Sequence, residues 1–106
     1  MQRFTDKVVL VTGAGSGIGK ASALRIAAEG GSVFCVDLNS AAVEATAAQI
    51  VASGGEATGR VCDVSNEASV QDSVQACIER YGSLYGLVNM AGILRFDDTQ
   101  ELQTDH

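Results

Sequence analysis

Apolar positions recur along the chain at two spacings, and glycines mark where one gives way to the other. Residues 8–11, VVLV, are an unbroken aliphatic run, as expected of a strand covered on both faces. The spacing then lengthens. Gly19, Ala23, Ile26, Ala27 and Gly30 fall at i, i+4, i+7, i+8 and i+11, which predicts a helix, with Ser22, Arg25 and Glu29 on another side. Residues 32–36 read as a second strand. Val43, Ala47, Ile50 and Val51 form the stripe of a second helix, started by Asn39 or Ser40 and ended by Gly54 and Gly55.

Residues 57–62 predict a third strand, shorter and more polar, in which Thr58 and Arg60 alternate against Ala57 and Val61. That pattern suits a sheet edge. Residues 66–81 carry the cleanest helical period, with Val70, Val74, Cys77, Ile78 and Tyr81 on one face, Ser65 as expected N-cap, Glu67 near the positive dipole end and Gly82 as C-terminal cap. This spacing makes Tyr81 a core residue rather than a catalytic one. Residues 84–89 read as a fourth strand, and the tail 93–106 as loop and short helix. Alternating strands and helices of these lengths call for parallel pairing with right-handed crossovers. The expected architecture is an α/β domain over residues 1–106, a doubly wound parallel sheet of strand order 3-2-1-4 that stops after the fourth strand.

Composition narrows the function classes. Seven basic against 13 acidic residues give a net charge of −6 without long blocks of one sign, which argues against nucleic acid or an anionic membrane as partner. The chain has no run of 18 apolar residues, and its opening MQRFTDK lacks the plan of a signal peptide, so a cytoplasmic location is expected. Cys35, Cys62 and Cys77 are odd in number and widely spaced beside a single His, so buried reduced thiols are expected and no metal site.

The candidate chemistry lies between the first strand and helix, where Gly13, Gly15, Gly17 and Gly19 supply more glycine than a turn requires. Without Cβ atoms, such a turn lets a ligand approach the main chain, and a helix starting there adds unpaired N–H groups and a positive dipole end. The site favours a phosphate. Asp37 follows 18 residues after Gly19, at the carboxyl end of the second strand, where an acid would hold the adenosine ribose hydroxyls of a dinucleotide. The competing reading is that Asp37 only caps the next helix.

Four motifs together resemble the short-chain dehydrogenases/reductases. TGAGSGIG at positions 12–19 is similar to the family's TGxxxGxG turn, Asp37 to its ribose-binding acid, Asp63 and Val64 to its adenine-side pair, and LVNMAG at positions 87–92 to its LVNNAG strand end. The resemblance implies a Rossmann-type sheet. It also implies that Gly13, Ser16, Gly17, Ile18 and Gly19 meet the pyrophosphate and nearby ribose, that Asp37 and Leu38 border the adenosine ribose, that Asp63 and Val64 border the adenine, and that Asn89, Ala91 and Gly92 lie beneath the cofactor. Asp37 repels a 2′-phosphate, and Ser16 stands where NADP-using members often carry a basic residue, so NAD is expected over NADP. Met90 departs from the second Asn of NNAG, and Tyr85 stands where many members have Asp.

The family's Ser and Tyr-xxx-Lys catalytic group has no counterpart here: Tyr81 and Tyr85 are followed four positions later by Tyr85 and Asn89, and the only lysines are Lys7 and Lys20. No catalytic residue is therefore assigned. The resemblance implies that the chain is the cofactor-binding half of a longer oxidoreductase, inactive by itself. The parent would be a homo-oligomer acting on an alcohol or ketone, such as a 3-oxoacyl or similar carbonyl. The alternative is a nucleotide-binding or interaction remnant without catalysis.

Overall fold

The computed structural model describes residues 3–89 and 92–95. Eight elements follow one another: β1 (Val8–Thr12), α1 (Gly17–Ala28), β2 (Ser32–Asp37), α2 (Ser40–Ala52), β3 (Glu56–Val61), α3 (Glu67–Tyr81), β4 (Gly86–Asn89) and β5 (Gly92–Arg95). They form one sheet of order β3-β2-β1-β4-β5. The first four strands are parallel in the expected order, with Val8 opposite Ser32, Ser32 opposite Glu56 and Val9 opposite Gly86.

Strand alternation divides the core into two layers. Val9, Val11, Val33 and Cys35 point to the face covered by α1 and α2, where they meet Ala23, Ile26, Val43 and Ile50. Val8, Leu10, Phe34 and Val36 point to the other face, covered by α3 through Cys77, Val70, Val74 and Tyr81. β1 is buried along its whole length, which is why its sequence is a continuous aliphatic run rather than an alternation. Tyr81 is part of this core: its ring meets Phe34 edge-on at 6.4 Å, and its hydroxyl shares a 2.7 Å hydrogen bond with Thr58. β3 stands at the sheet edge, as its polar alternation predicts.

Several expectations are corrected. The tail was expected to be loop and short helix, but Gly92–Arg95 pairs antiparallel with β4, so the sheet does not stop at the fourth strand and that strand's edge is covered. Residues 96–106 lie outside the described residues. The N-cap of α3 is Asn66, whose side-chain Oδ1 accepts from the Ser69 N–H at 3.1 Å, whereas Ser65 turns back to Asp63. On α2, Asn39 is the cap, and Thr46 takes the buried position expected of Val51, which is 55% exposed. Thr46 can be buried because its hydroxyl donates to the Ala42 carbonyl one turn back. Val61 is half exposed at the end of the edge strand. Gly30 lies past the end of α1 and is exposed rather than part of its apolar stripe.

Glu29 is the largest departure from the pattern. The helical period places it on the polar side of α1, yet it is buried, with both oxygens taken by arginines. Arg3 donates through Nε and a terminal nitrogen at 2.8 and 2.9 Å, and Arg25 donates from one turn earlier.

Candidate functional site

Parallel pairing brings the carboxyl ends of β1, β2, β3 and β4 to one edge of the sheet. The glycine turn, Asp37, Asp63 and the end of β4 are therefore neighbours by topology. Gly13 and Gly17 hold left-handed angles, φ 63° and 58°, that an L side chain adopts only at a cost. Gly19 is needed for a different reason. A Cβ there would lie 2.0 Å from the Gly13 carbonyl oxygen, so its absence lets α1 start directly against the turn.

Ser16 is the N-cap of α1 in extended conformation, and its side chain makes no capping bond. The first N–H groups of a helix lack intrahelical partners, so this end of α1 offers main-chain donors and a positive dipole end. The turn is held from behind. Ala14 N–H donates to the Val36 carbonyl at 3.0 Å, and the Thr12 hydroxyl donates to the Val88 carbonyl at 3.3 Å, tying the ends of β1, β2 and β4 together.

Asp37 closes on the same turn. Its Oδ2 accepts from Gly15 N–H at 2.8 Å and its Oδ1 from Asn39 N–H at 2.9 Å. Asn39 in turn caps α2 through Ala42 N–H at 3.0 Å. The helix-cap role weighed for Asp37 thus falls to Asn39. Sequence reading missed the Gly15 and Asn39 amides; the Asp-x-Asn spacing carries the local signal for one, and nothing in sequence separation signals the other.

Asp63 follows β3 at the same edge. Ser65 donates to its Oδ1 from both hydroxyl and main chain, at 2.6 and 3.0 Å, and holds the carboxyl below the usual carboxylate range. The Asp63 N–H donates to the Ser69 hydroxyl at 3.1 Å, which fixes the strand end against α3. Ile18, Leu38 and Val64 are 72%, 69% and 55% exposed, an unusual state for large aliphatic side chains. All three stand at this edge. Asn89 ends β4 there, and Gly92 opens β5, whereas Met90 and Ala91 lie outside the described residues.

Other features adjoin this site or lie away from it. A mainly apolar groove of about 470 Å³ lies between α1 and the β1–β4 side of the sheet, lined by Phe4, Ile18, Ile26, Tyr85 and Val88 among others. Tyr85 sits under the Lys7 ammonium, 4.8 Å from ring centre to nitrogen. The three cysteines are free and buried, and no cluster able to hold a metal ion occurs among the described residues. No helix among the described residues is long and apolar enough to cross a membrane.

Comparison with known proteins places this geometry. The family profile described as short chain dehydrogenase matches residues 7–106. The chain is 48% identical over 93 residues to levodione reductase from Leifsonia aquatica, covering 86% of this chain and 35% of that protein. It is 44% identical over 100 residues to D-threitol dehydrogenase from Mycolicibacterium smegmatis, covering 94% and 38%. Among solved structures it superposes on a hydroxysteroid dehydrogenase from Escherichia coli with a TM-score of 0.80 at 34% identity, over 83% of this chain and 37% of that one. The chain spans little more than a third of the length of these relatives. A glycine turn packed against an acid at the end of β2, in a sheet of this order and with matches of this extent, makes the chain a member of the short-chain dehydrogenase family.

Proposed function

We propose that the chain is the NAD-binding half of a short-chain dehydrogenase/reductase acting on an alcohol or ketone. The observation that carries the reading is the contact between Asp37 and Gly15, which sets a carboxylate against the turn that would hold the pyrophosphate. In this reading Gly13, Ser16, Gly17, Ile18 and Gly19 receive the pyrophosphate and adjacent ribose, chiefly through main-chain N–H groups. Asp37 and Leu38 take the adenosine ribose, and Asp63 and Val64 border the adenine. Asn89, Ala91 and Gly92 lie under the cofactor's ribose rings.

Several features support this fit. Gly19 leaves no room for a side chain at the helix start, the Ser16 side chain makes no capping bond at the start of α1, and exposed Ile18, Leu38 and Val64 offer apolar contact beside polar partners. A carboxylate at position 37 disfavours a 2′-phosphate, so NAD is chosen over NADP. Bound nicotinamide supplies hydride exchange with the substrate carbon. This chain's residues would bind and orient it. The proton-exchanging group is assigned to the part of the longer family members that has no counterpart in these 106 residues, and a homo-oligomeric, cytoplasmic parent fits the family.

The names of the relatives, among them levodione reductase, D-threitol dehydrogenase and 3beta-hydroxysteroid dehydrogenase, favour hydroxy or keto compounds as the substrate class without narrowing their size. The test is a fluorescence titration with NADH and NADPH. Saturable binding with clear preference for NADH is expected. Equal affinity for the two would remove the role given to Asp37, and absence of binding to either would remove the cofactor reading.

A further inference from the structure

We infer that Asn39 is a positioning residue for cofactor selection: its main-chain N–H, with that of Gly15, locks the Asp37 carboxylate in the orientation that admits a ribose diol. The inference rests on the NAD reading above. Each Asp37 oxygen already accepts one amide, Oδ2 from Gly15 at 2.8 Å and Oδ1 from Asn39 at 2.9 Å. A carboxylate has about four acceptor positions, so one bond on each oxygen leaves each able to take a hydroxyl. The two donors come from different elements, the glycine turn and the entry to α2, and together they remove the freedom of a side chain on an open edge. Preorganisation of this kind raises affinity by sparing the ligand the cost of ordering its partner.

Close approach is built into the sequence. A Cβ on Gly15 would stand 2.8 Å from Asp37 Oδ2 and 2.7 Å from the Ala42 Cβ, so the amide reaches the carboxylate because position 15 carries no side chain. Asn39 contributes in two separable ways. Its side chain caps α2, while its main chain holds Asp37.

The two roles are separated by comparing Asn39→Ala with Asn39→Pro. Ala loses the cap and keeps the N–H; Pro loses both, and the native φ of −88° lies near its permitted range. Titration of both variants with NADH and NADPH should show NADH affinity about tenfold weaker in Asn39→Pro than in Asn39→Ala, with NADPH affinity little changed, because a hydrogen bond to a charged group is lost. A loss of cap alone would weaken both nucleotides in proportion. An identical NADH-to-NADPH ratio in the two variants overturns the inference. If Asn39→Pro does not fold, amide hydrogen exchange decides: Gly15 and Asn39 should be protected in the native chain and lose that protection in Asp37→Ala, and unprotected exchange at both in the native chain overturns it. Equal affinity of the unaltered chain for the two nucleotides would instead remove the role given to Asp37, and absence of binding to either would remove the cofactor reading.

Discussion

Arg3 and Glu29, 26 positions apart, meet through two parallel N–H···O bonds of 2.8 and 2.9 Å and fasten the start of the chain to the end of α1. The Glu29 side chain is 5% exposed, whereas Arg3 and Arg25 remain more than half exposed. The bonds from Arg3 and then Arg25 lower the Glu29 pKa from 4.5 to about 2. A group whose folded pKa is depressed stabilises the fold above its unfolded value and loses that contribution as pH falls. The Glu29 contribution should therefore be complete above about pH 4.5 and fade towards pH 2. Glu29→Gln should lower the melting temperature by several degrees at pH 7 and flatten the acid limb of the stability profile. Thermal melts from pH 7 to pH 2 test this; parallel acid limbs would show that Glu29 carries no special share.

Gly19 leaves α1 no alternative approach to the turn. A Cβ at this position would sit 2.0 Å from the Gly13 carbonyl oxygen and 2.8 Å from that of Thr12, both main-chain atoms that cannot swing aside. Gly19→Ala should cost about 3 kcal/mol or more in urea unfolding. Gly54, left-handed at φ 93° but with open space around it, is the comparison: Gly54→Ala should cost only about 1–2 kcal/mol. Equal costs would mean that the close approach at Gly19 relaxes easily.

The strands and helices were legible because burial imposes period: β1 is covered on both faces and reads as VVLV, and α3 is covered on one and repeats Val70, Val74, Cys77, Ile78 and Tyr81. The glycine turn was legible because left-handed angles at Gly13 and Gly17 demand a residue type. Glu29 was not, since its burial depends on Arg3, a residue ahead of β1 with no periodic tie to the helix. Asn66 and Ser65 both suit a cap, and only the demand of the Asp63 carboxylate for Ser65 decides between them. β5 is not legible in the sequence because GILR is four residues long, with too few positions to display alternation. The Asp37 to Gly15 bond is only half legible: glycine at position 15 permits the approach, but a main-chain donor does not name its acceptor in the sequence.

Removing the Asp37 carboxylate takes away both an acceptor for ribose hydroxyls and a repulsive charge. Asp37→Ala should weaken NADH binding about tenfold to a hundredfold, as for a lost charged hydrogen bond, while NADPH binding holds or improves. The ratio of the two affinities is the quantity to measure. An unchanged affinity for both nucleotides would assign Asp37 to the architecture of the turn alone.

Ser73 of α3 is 1% exposed, and its hydroxyl has no hydrogen-bond partner among the described residues. A buried polar group without a partner bears its desolvation cost uncompensated. Ser73→Ala should therefore raise stability by about 1 kcal/mol, measured by urea unfolding with an unchanged slope. Destabilisation would show that the hydroxyl finds a partner in solution.

Burial raises the thiol pKa of Cys35 from 9.0 to about 12 and that of Cys77 to about 11. Both thiols stay protonated in the fold at pH values where an unfolded thiol ionises. The sign follows from linkage: for an acid whose folded pKa is raised, stability is full below the unfolded value and declines as pH rises through the interval between the two. The chain should lose stability between pH 9 and about 12, and Cys35→Ala should reduce the slope of that decline. The same burial makes the native thiols poor nucleophiles, because the thiolate is the reactive form. A disulfide reagent at pH 8 should label neither Cys35 nor Cys77 until urea unfolds the chain, and rapid labelling of the native protein at either position would show that this part of the core opens without global unfolding.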